Sequence, residues 1–128
     1  MKGENNYPRA FYQNLGKLFY AIALADGEVH EVEISTLEHV IEKEWATGSE
    51  AFPILDVFNW LHEDQEYNAE DCFKSFMAFK NNNEALFTNQ IKHLILSTAN
   101  KVASSFARKN KSELILLARL DLAFKIKK

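Results

Sequence analysis

Residues 18–33 read LFYAIALADGEVHEVE, and this stretch decides the fold. An apolar helix runs up to Ala25 and stops at Asp26-Gly27, and a second helix starts within a few residues. Glycine at position 27 permits the tight turn, because glycine reaches left-handed backbone angles without steric cost. The stretch therefore predicts a helix, a tight corner and a second helix, with negative charge gathered at the corner. The carboxylates that follow the turn are Glu28, Glu31 and Glu33.

Hydrophobic spacing extends this helical pattern along the whole chain. Apolar residues recur at three- and four-residue steps, and only 4 Gly and 2 Pro are present to interrupt them. Turn residues at 47–49, 81–83 and 108–110 separate the segments, and Asn110 or Ser112 is the expected cap of the last helix. Short connections predict a compact all-α bundle of about six helices. The predicted helices are 9–25, 31–46, one that Pro53 opens, one that Asn68 caps, 84–107, and a last helix with Leu114, Leu117, Leu120, Leu122 and Phe124 as its apolar positions.

Length and composition fit one globular domain. With 128 residues, of which 47% are hydrophobic, residues 1–128 are expected to fold around a single core, with 1–7 extended or disordered. The single cysteine, Cys72, excludes an intrachain disulfide and is compatible with a reducing compartment. No secretory signal pattern and no uncharged apolar run of about 18 residues occurs. We therefore expect a cytoplasmic chain without membrane insertion.

Charge is distributed unevenly along the chain. Residues 1–71 hold 4 Lys and Arg against 15 Asp and Glu, whereas residues 72–128 hold 11 against 3. Either the acidic and basic helices face each other or water, or the acidic surface serves a cation or a basic partner. The basic segments lack interleaved aromatic residues and the net charge is −3, so nucleic-acid binding is not expected.

A faint internal repeat relates the two ends of the chain. A shift of 80 residues places Leu15 on Ile95, Ile22 on Val102 and Glu33 on Glu113. Each copy would be a long helix, a tight corner and another helix, which suggests two repeated helix pairs. The second corner has Phe106 and Ala107 where the first has Asp26 and Gly27, so only the first keeps its acid. A chance match between two amphipathic helix pairs is the alternative.

The spacing Asp26-Gly27-x-Val29-x-x-x-Glu33 matches the second half of an EF-hand calcium loop. An ordinary EF-hand is excluded, because the leading ligand positions hold Ile22 and Leu24. Calcium needs about 6 to 8 oxygens, so two carboxylates would need help from neighbouring groups or water.

The corner therefore predicts weak binding of Ca²⁺ or Mg²⁺, with no ion required for folding. An anionic patch for a protein partner, which would include Glu31 and Glu38, is a second interpretation. A third is that Asp26 and Glu33 only cap helix ends. The predicted metal ligands are Asp26, Glu28, His30 and Glu33.

The run from Leu18 to Val29, followed by Glu33, resembles the signature of TerB-like (tellurite-resistance B) domains, which also occur in DjlA-like co-chaperones. The resemblance is best over residues 11–45 and looser over the last helix pair. It implies an all-helical cytoplasmic module linked to stress response, with a divalent-cation role for the acids at positions 26 and 33. Two features depart from the family: the second corner has no acid before Glu113, and no J-domain accompanies the chain.

No set of residues predicts catalysis. His62 lacks the second histidine of a helical zinc pair, because position 66 is Glu, and Cys72 lies among apolar residues that keep a thiol inert. The sequence thus favours a non-catalytic TerB-like module that binds a cation weakly or presents an anionic patch. The alternative is an adaptor without metal, which binds an amphipathic helix of an unidentified protein partner in an aromatic groove. The groove residues would be Phe73, Phe76 and Phe79, or Trp60.

Overall fold

The computed structural model describes residues 7–45, 51–105 and 111–125. In these residues, the segments with helical periodicity form six α-helices. Within these ranges there is no β-strand, so the predicted all-α fold is confirmed. None of the helices described is long and apolar enough to cross a membrane. The helices are α1 Arg9–Leu24, α2 Glu31–Glu44, α3 Pro53–Asp64, α4 Ala69–Asn82, α5 Asn89–Ser104 and α6 Lys111–Ala123.

The first helix forms the centre of the bundle. It is apolar on most of its circumference, and a helix of this kind must be covered by neighbours on several sides. It packs against α3, α4, α5 and α6, while α2 packs mainly against α5. The α1 side chains with no or almost no exposed surface are Phe11, Tyr12, Leu15, Leu18, Phe19, Tyr20, Ala21, Ile22 and Ala23.

Close packing of α1 on α3 depends on Gly16. A Cβ atom at position 16 would lie 2.7 Å from the carbonyl oxygen of Ile54 and 2.8 Å from the Cβ of Val57. Glycine therefore allows the two backbones to approach more closely than any other residue would.

Among the described residues, two ion pairs between different helices join the acidic first half of the chain to the basic second half. Arg119 on α6 donates two hydrogen bonds, of 2.8 and 2.9 Å, to the carboxylate of Glu70 on α4. Lys101 on α5 pairs with Glu44 on α2. Part of the charge asymmetry is thus explained by helices that face each other, as one of the two interpretations predicts.

Three details of the predicted helices are wrong. Residues 84–86 form a short 3-10 turn and α5 begins only at Asn89, because the Thr88 hydroxyl caps the helix by accepting from the Ile91 N–H at 3.2 Å. In α6 the side chains of Leu114 and Leu122 are exposed, whereas Leu116 and Leu117 are buried. Ser112 is inside α6 and does not precede it, while residues 1–6, 47–49 and 108–110 lie outside the described residues.

A buried hydrogen bond fixes α2 to α5. The indole N–H of Trp45 donates to the hydroxyl of Thr98 at 3.0 Å, and that hydroxyl donates to the Leu94 carbonyl at 2.9 Å. Trp45 is 3% exposed and Thr98 is fully buried, so water cannot replace either bond.

We expect Thr98→Val to lower the free energy of unfolding by about 1 to 3 kcal/mol, because the buried indole N–H loses its acceptor. Thr98→Ser is the matched control, since it keeps the hydroxyl and should cost less. Urea unfolding followed by circular dichroism measures both variants. A valine variant as stable as the parent would contradict the role given to this bond.

Candidate functional site

The acidic corner lies between α1 and α2, and a glycine sets its backbone. The carbonyl of Leu24, the last residue of α1, accepts a 2.7 Å hydrogen bond from the Gly27 N–H. Gly27 has a φ of +100°, a region that residues with a Cβ rarely adopt. The Asp-Gly pair therefore ends α1 in the turn that the sequence predicts.

Backbone N–H groups occupy one oxygen of each acid in the calcium-like spacing, in the turn for Asp26 and in the cap of α2 for Glu33. Asp26 Oδ1 accepts from the Glu28 N–H at 3.1 Å, and Glu33 Oε1 accepts from the His30 N–H at 2.8 Å. The second oxygen of Asp26 lies 3.4 Å from His30 Nε2, which makes an ion pair when the imidazole is protonated. Asp26, His30 and Glu33 thus form one connected cluster at the start of α2.

Glu33 of this cluster and Glu113 of α6 are both buried. Glu33 is 1% exposed and Glu113 is 2% exposed, and each is the third residue of its helix. Such burial is unusual, because an ionised carboxylate loses its hydration when it leaves water. Together with Lys80 and Thr98, they make up the buried polar or charged residues of the described chain.

Burial and the neighbouring acids raise the pKa of Glu33 from 4.5 to about 7. Loss of hydration is the largest cause, and the negative charges of Glu113 and Asp26 act in the same direction. The hydrogen bond from the His30 N–H and the charge of the imidazole act against them. At neutral pH the Glu33 carboxyl is therefore divided between its protonated and ionised forms.

Glu113 is the site residue that the predicted ligand set omits. The shift of 80 residues aligns Glu113 with Glu33 in the sequence. The second corner has Phe106 where the first has Asp26, so the sequence does not favour a site that takes acids from both halves. The matching positions of the two glutamates in α2 and α6 agree with the repeat, which stays a prediction. The signal in the sequence was a glutamate in the first turn of an otherwise basic, apolar segment.

Of the predicted ligands, Glu28 lies apart from the cluster of Asp26, His30 and Glu33, and it lines a cavity with Tyr20 and Tyr67. Glu31 and Glu38, the predicted patch residues, are exposed along α2. In the three described ranges, no group of three or more His, Cys, Asp or Glu is arranged to hold a metal ion. A cation at this corner would therefore rely on two carboxylates, backbone oxygens and water.

The remaining candidates from the sequence fall outside the corner. Cys72 is buried, and burial raises the pKa of its thiol, which disfavours the reactive thiolate. Phe73 and Phe76 are buried and cannot line an open groove, and Phe79 is half-buried. Trp60, by contrast, is 54% exposed.

Comparison of the chain with protein-family models, with curated proteins and with solved structures finds no match. The resemblance to TerB-like domains accordingly rests on residues 18–29 and Glu33 alone.

Proposed function

We propose that this protein is a non-catalytic, TerB-like helical module that binds a divalent cation weakly at the corner of α1 and α2. The proposal rests on one observation: Glu33 and Glu113 are almost completely buried and close enough for the charge of one to raise the pKa of the other. The cation would lie against this pair, with Asp26 at its side.

Electrostatics explains why such a pair suits a cation. Two buried carboxylates repel each other, and the low polarity around them weakens the screening of that repulsion. A proton on Glu33 removes the repulsion at low pH, and a divalent cation removes it when both groups are ionised. Affinity is weak because capping already uses one oxygen of Glu33, and few further protein ligands are near.

Of the two ions, Mg²⁺ fits this donor set better than Ca²⁺. Mg²⁺ keeps several of its waters and binds proteins through one or two carboxylates, whereas Ca²⁺ takes about 6 to 8 oxygens. Both ions must displace the proton from Glu33, so binding should release a proton below pH 7.

Calorimetric titration with Mg²⁺ and Ca²⁺ tests the proposal. We expect a dissociation constant of about 1 mM, tightening by up to about tenfold from pH 6 to pH 7 as the competing proton is lost. The variant Glu33→Gln with Glu113→Gln should show no binding heat. Glu31→Gln with Glu38→Gln, which removes two exposed charges from α2, should bind almost as the parent does.

The proposal fails if about 10 mM of either ion gives neither heat nor a thermal shift. It also fails if the exposed pair of substitutions abolishes binding as completely as the buried pair, because the ion would then be a counterion of the acidic surface.

A second candidate function is the adaptor without metal, and the exposed indole of Trp60 favours it. In this interpretation the chain acts in the cytoplasm by binding a protein partner. The groove would not include Phe73 or Phe76, because both are buried. The association with tellurite resistance and stress response comes from the TerB resemblance alone.

A further inference from the structure

Two aromatic rings stand together on the surface where α3 ends and α4 begins. Trp60 is 54% exposed and Tyr67 is 42% exposed, and their ring centroids are 5.6 Å apart with planes inclined at 42°. Gln65, which has a φ of 57°, ends α3 in a left-handed conformation, and Tyr67 follows two residues later. Trp and Tyr are among the residues that are enriched at the energetic centres of protein interfaces.

Tyr67 lines two cavities that differ in chemistry. The first has a volume of about 350 Å³, and its lining includes Tyr20, Glu28 and His62. The second has a volume of about 420 Å³, and its lining includes Trp60, Leu61 and Cys72. The first therefore offers a carboxylate and the exposed ring of Tyr67, whereas the second offers mainly apolar surface.

One acidic residue lines each cavity, and three more are next in sequence to lining residues. Glu28 lines the first and Asp71 lines the second, and Glu63, Asp64 and Glu66 are exposed on the end of α3 and the loop beyond it. Within the described ranges, none of these five forms an ion pair with Lys, Arg or His. The charge of Asp64 reaches the first cavity, since it contributes to the raised pKa of Tyr20.

One basic side chain, Lys17, also lines the second cavity, and its ammonium donates to the Ser75 hydroxyl at 3.0 Å. The ammonium group of Lys17 would repel another cation in the second cavity. The first cavity has no Lys or Arg among its lining residues. The surface therefore separates a place for a cation from a place for an apolar group.

We propose that this surface binds a basic segment of a partner protein, in which a Lys or Arg side chain enters the first cavity and a neighbouring apolar side chain enters the second. The cation would lie against the exposed ring of Tyr67 and pair with the Glu28 carboxylate. The apolar side chain would cover the exposed ring of Trp60. This partner chemistry rests on the adaptor candidate and does not involve Glu33 or Glu113.

Fluorescence gives a direct readout, because the chain has 2 Trp residues and only Trp60 is exposed. In a Trp45→Phe background, Trp60 becomes the sole indole. The probe is a synthetic peptide of alternating Lys and Leu residues, with a Glu-Leu peptide as its charge-reversed control. We expect the Lys-Leu peptide to change the Trp60 emission saturably, and the Glu-Leu peptide to leave it unchanged.

Fluorescence anisotropy with labelled peptides and a protein that keeps Trp45 then locates the site. Trp60→Ala and Tyr67→Ala should each weaken binding of the Lys-Leu peptide about tenfold. Phe52→Ala is the matched control, since Phe52 is 47% exposed and lines a separate cavity with Glu38 and Glu42, and it should change binding less than twofold. Glu63→Gln with Asp64→Asn and Glu66→Gln should weaken binding without touching the rings.

If Phe52→Ala and Trp60→Ala weakened binding of the Lys-Leu peptide equally, the proposal would be overturned. The peptide would then recognise the acidic charge of the surface alone. Binding of the Glu-Leu peptide, or a surface occupied by a second copy of the chain in sedimentation experiments, would overturn it as well. Glu33→Gln should leave peptide binding intact. A failure of the cation site and a failure of this surface are therefore distinguishable.

Discussion

Gly16→Ala is expected to lower the free energy of unfolding by about 2 to 3 kcal/mol, although alanine is the better helix former. In the middle of a helix, alanine is normally favoured over glycine by about 1 kcal/mol. Here the added Cβ would lie 2.7 Å from the carbonyl oxygen of Ile54, and contacts under 3.0 Å are essentially never made by real Cβ atoms. The obstacle is backbone, so α1 and α3 must move apart.

Urea unfolding of Gly16→Ala measures this cost, and Ala78→Gly supplies the matched control. Ala78 is exposed within α4, so its substitution reports helix propensity alone and should cost about 1 kcal/mol. Truncation of Val57 should not rescue Gly16→Ala, because the Ile54 carbonyl remains in place. If Gly16→Ala proved more stable than the parent, α1 and α3 would not be in the close contact described.

Particular residues show which parts of this fold follow from local sequence. The spacing of apolar residues predicts α1 within one residue of its observed end, and Asp26-Gly27 predicts the turn that follows. Both depend on interactions close in sequence. The predicted start of α5 at residue 84 is wrong, because the helix begins where the Thr88 hydroxyl caps it and not where the apolar pattern begins.

The sequence predicts the candidate site only in part, because the burial of its side chains depends on contacts between residues that are distant in sequence. The sequence places Glu33 at the acidic corner but does not predict its burial, and in the structure Glu33 is buried and lies within reach of the charge of Glu113 from the last helix. In α6, Leu114 and Leu116 are both apolar, and only the packing of neighbouring helices decides that Leu116 is the one buried. Similarly, nothing local distinguishes the exposed Trp60 from the buried Trp45.

Stability is expected to decrease as the pH rises from about 5 to 8, and Glu33 is the main cause. The unfolded chain releases the Glu33 proton near pH 4.5, whereas the folded chain holds it until about pH 7. Folding therefore takes up a proton in this window, and raising the pH through it favours the unfolded state. The full shift corresponds to an upper limit of about 3 kcal/mol.

Other groups act outside this window or can be separated from it. The ion pair with Arg119 lowers the pKa of Glu70, so its contribution is present above the unfolded value and is lost only in more acidic solution. Comparing each variant with the parent at every pH removes the contributions that both share.

The variant Glu33→Gln tests this pH dependence most directly, because glutamine resembles the protonated acid. Its side-chain oxygen can still accept a hydrogen bond from the His30 N–H. The variant should match the parent near pH 5 and exceed its free energy of unfolding by about 1 to 3 kcal/mol at pH 8. Glu31→Gln, which removes an exposed charge from the same helix turn, should instead lose about 0.3 to 1 kcal/mol at both pH values.

Chemical denaturation at a series of pH values measures these differences. If the free energies of unfolding of Glu33→Gln and the parent changed in parallel with pH, the Glu33 carboxylate would be ionised in the folded protein over the whole range. Saturating Mg²⁺ should reduce the decline of the parent at pH 8, because a cation stabilises the ionised pair that the proton has left. It should not stabilise the variant with both Glu33→Gln and Glu113→Gln. Agreement of the two effects would place proton and cation at the same buried carboxylates.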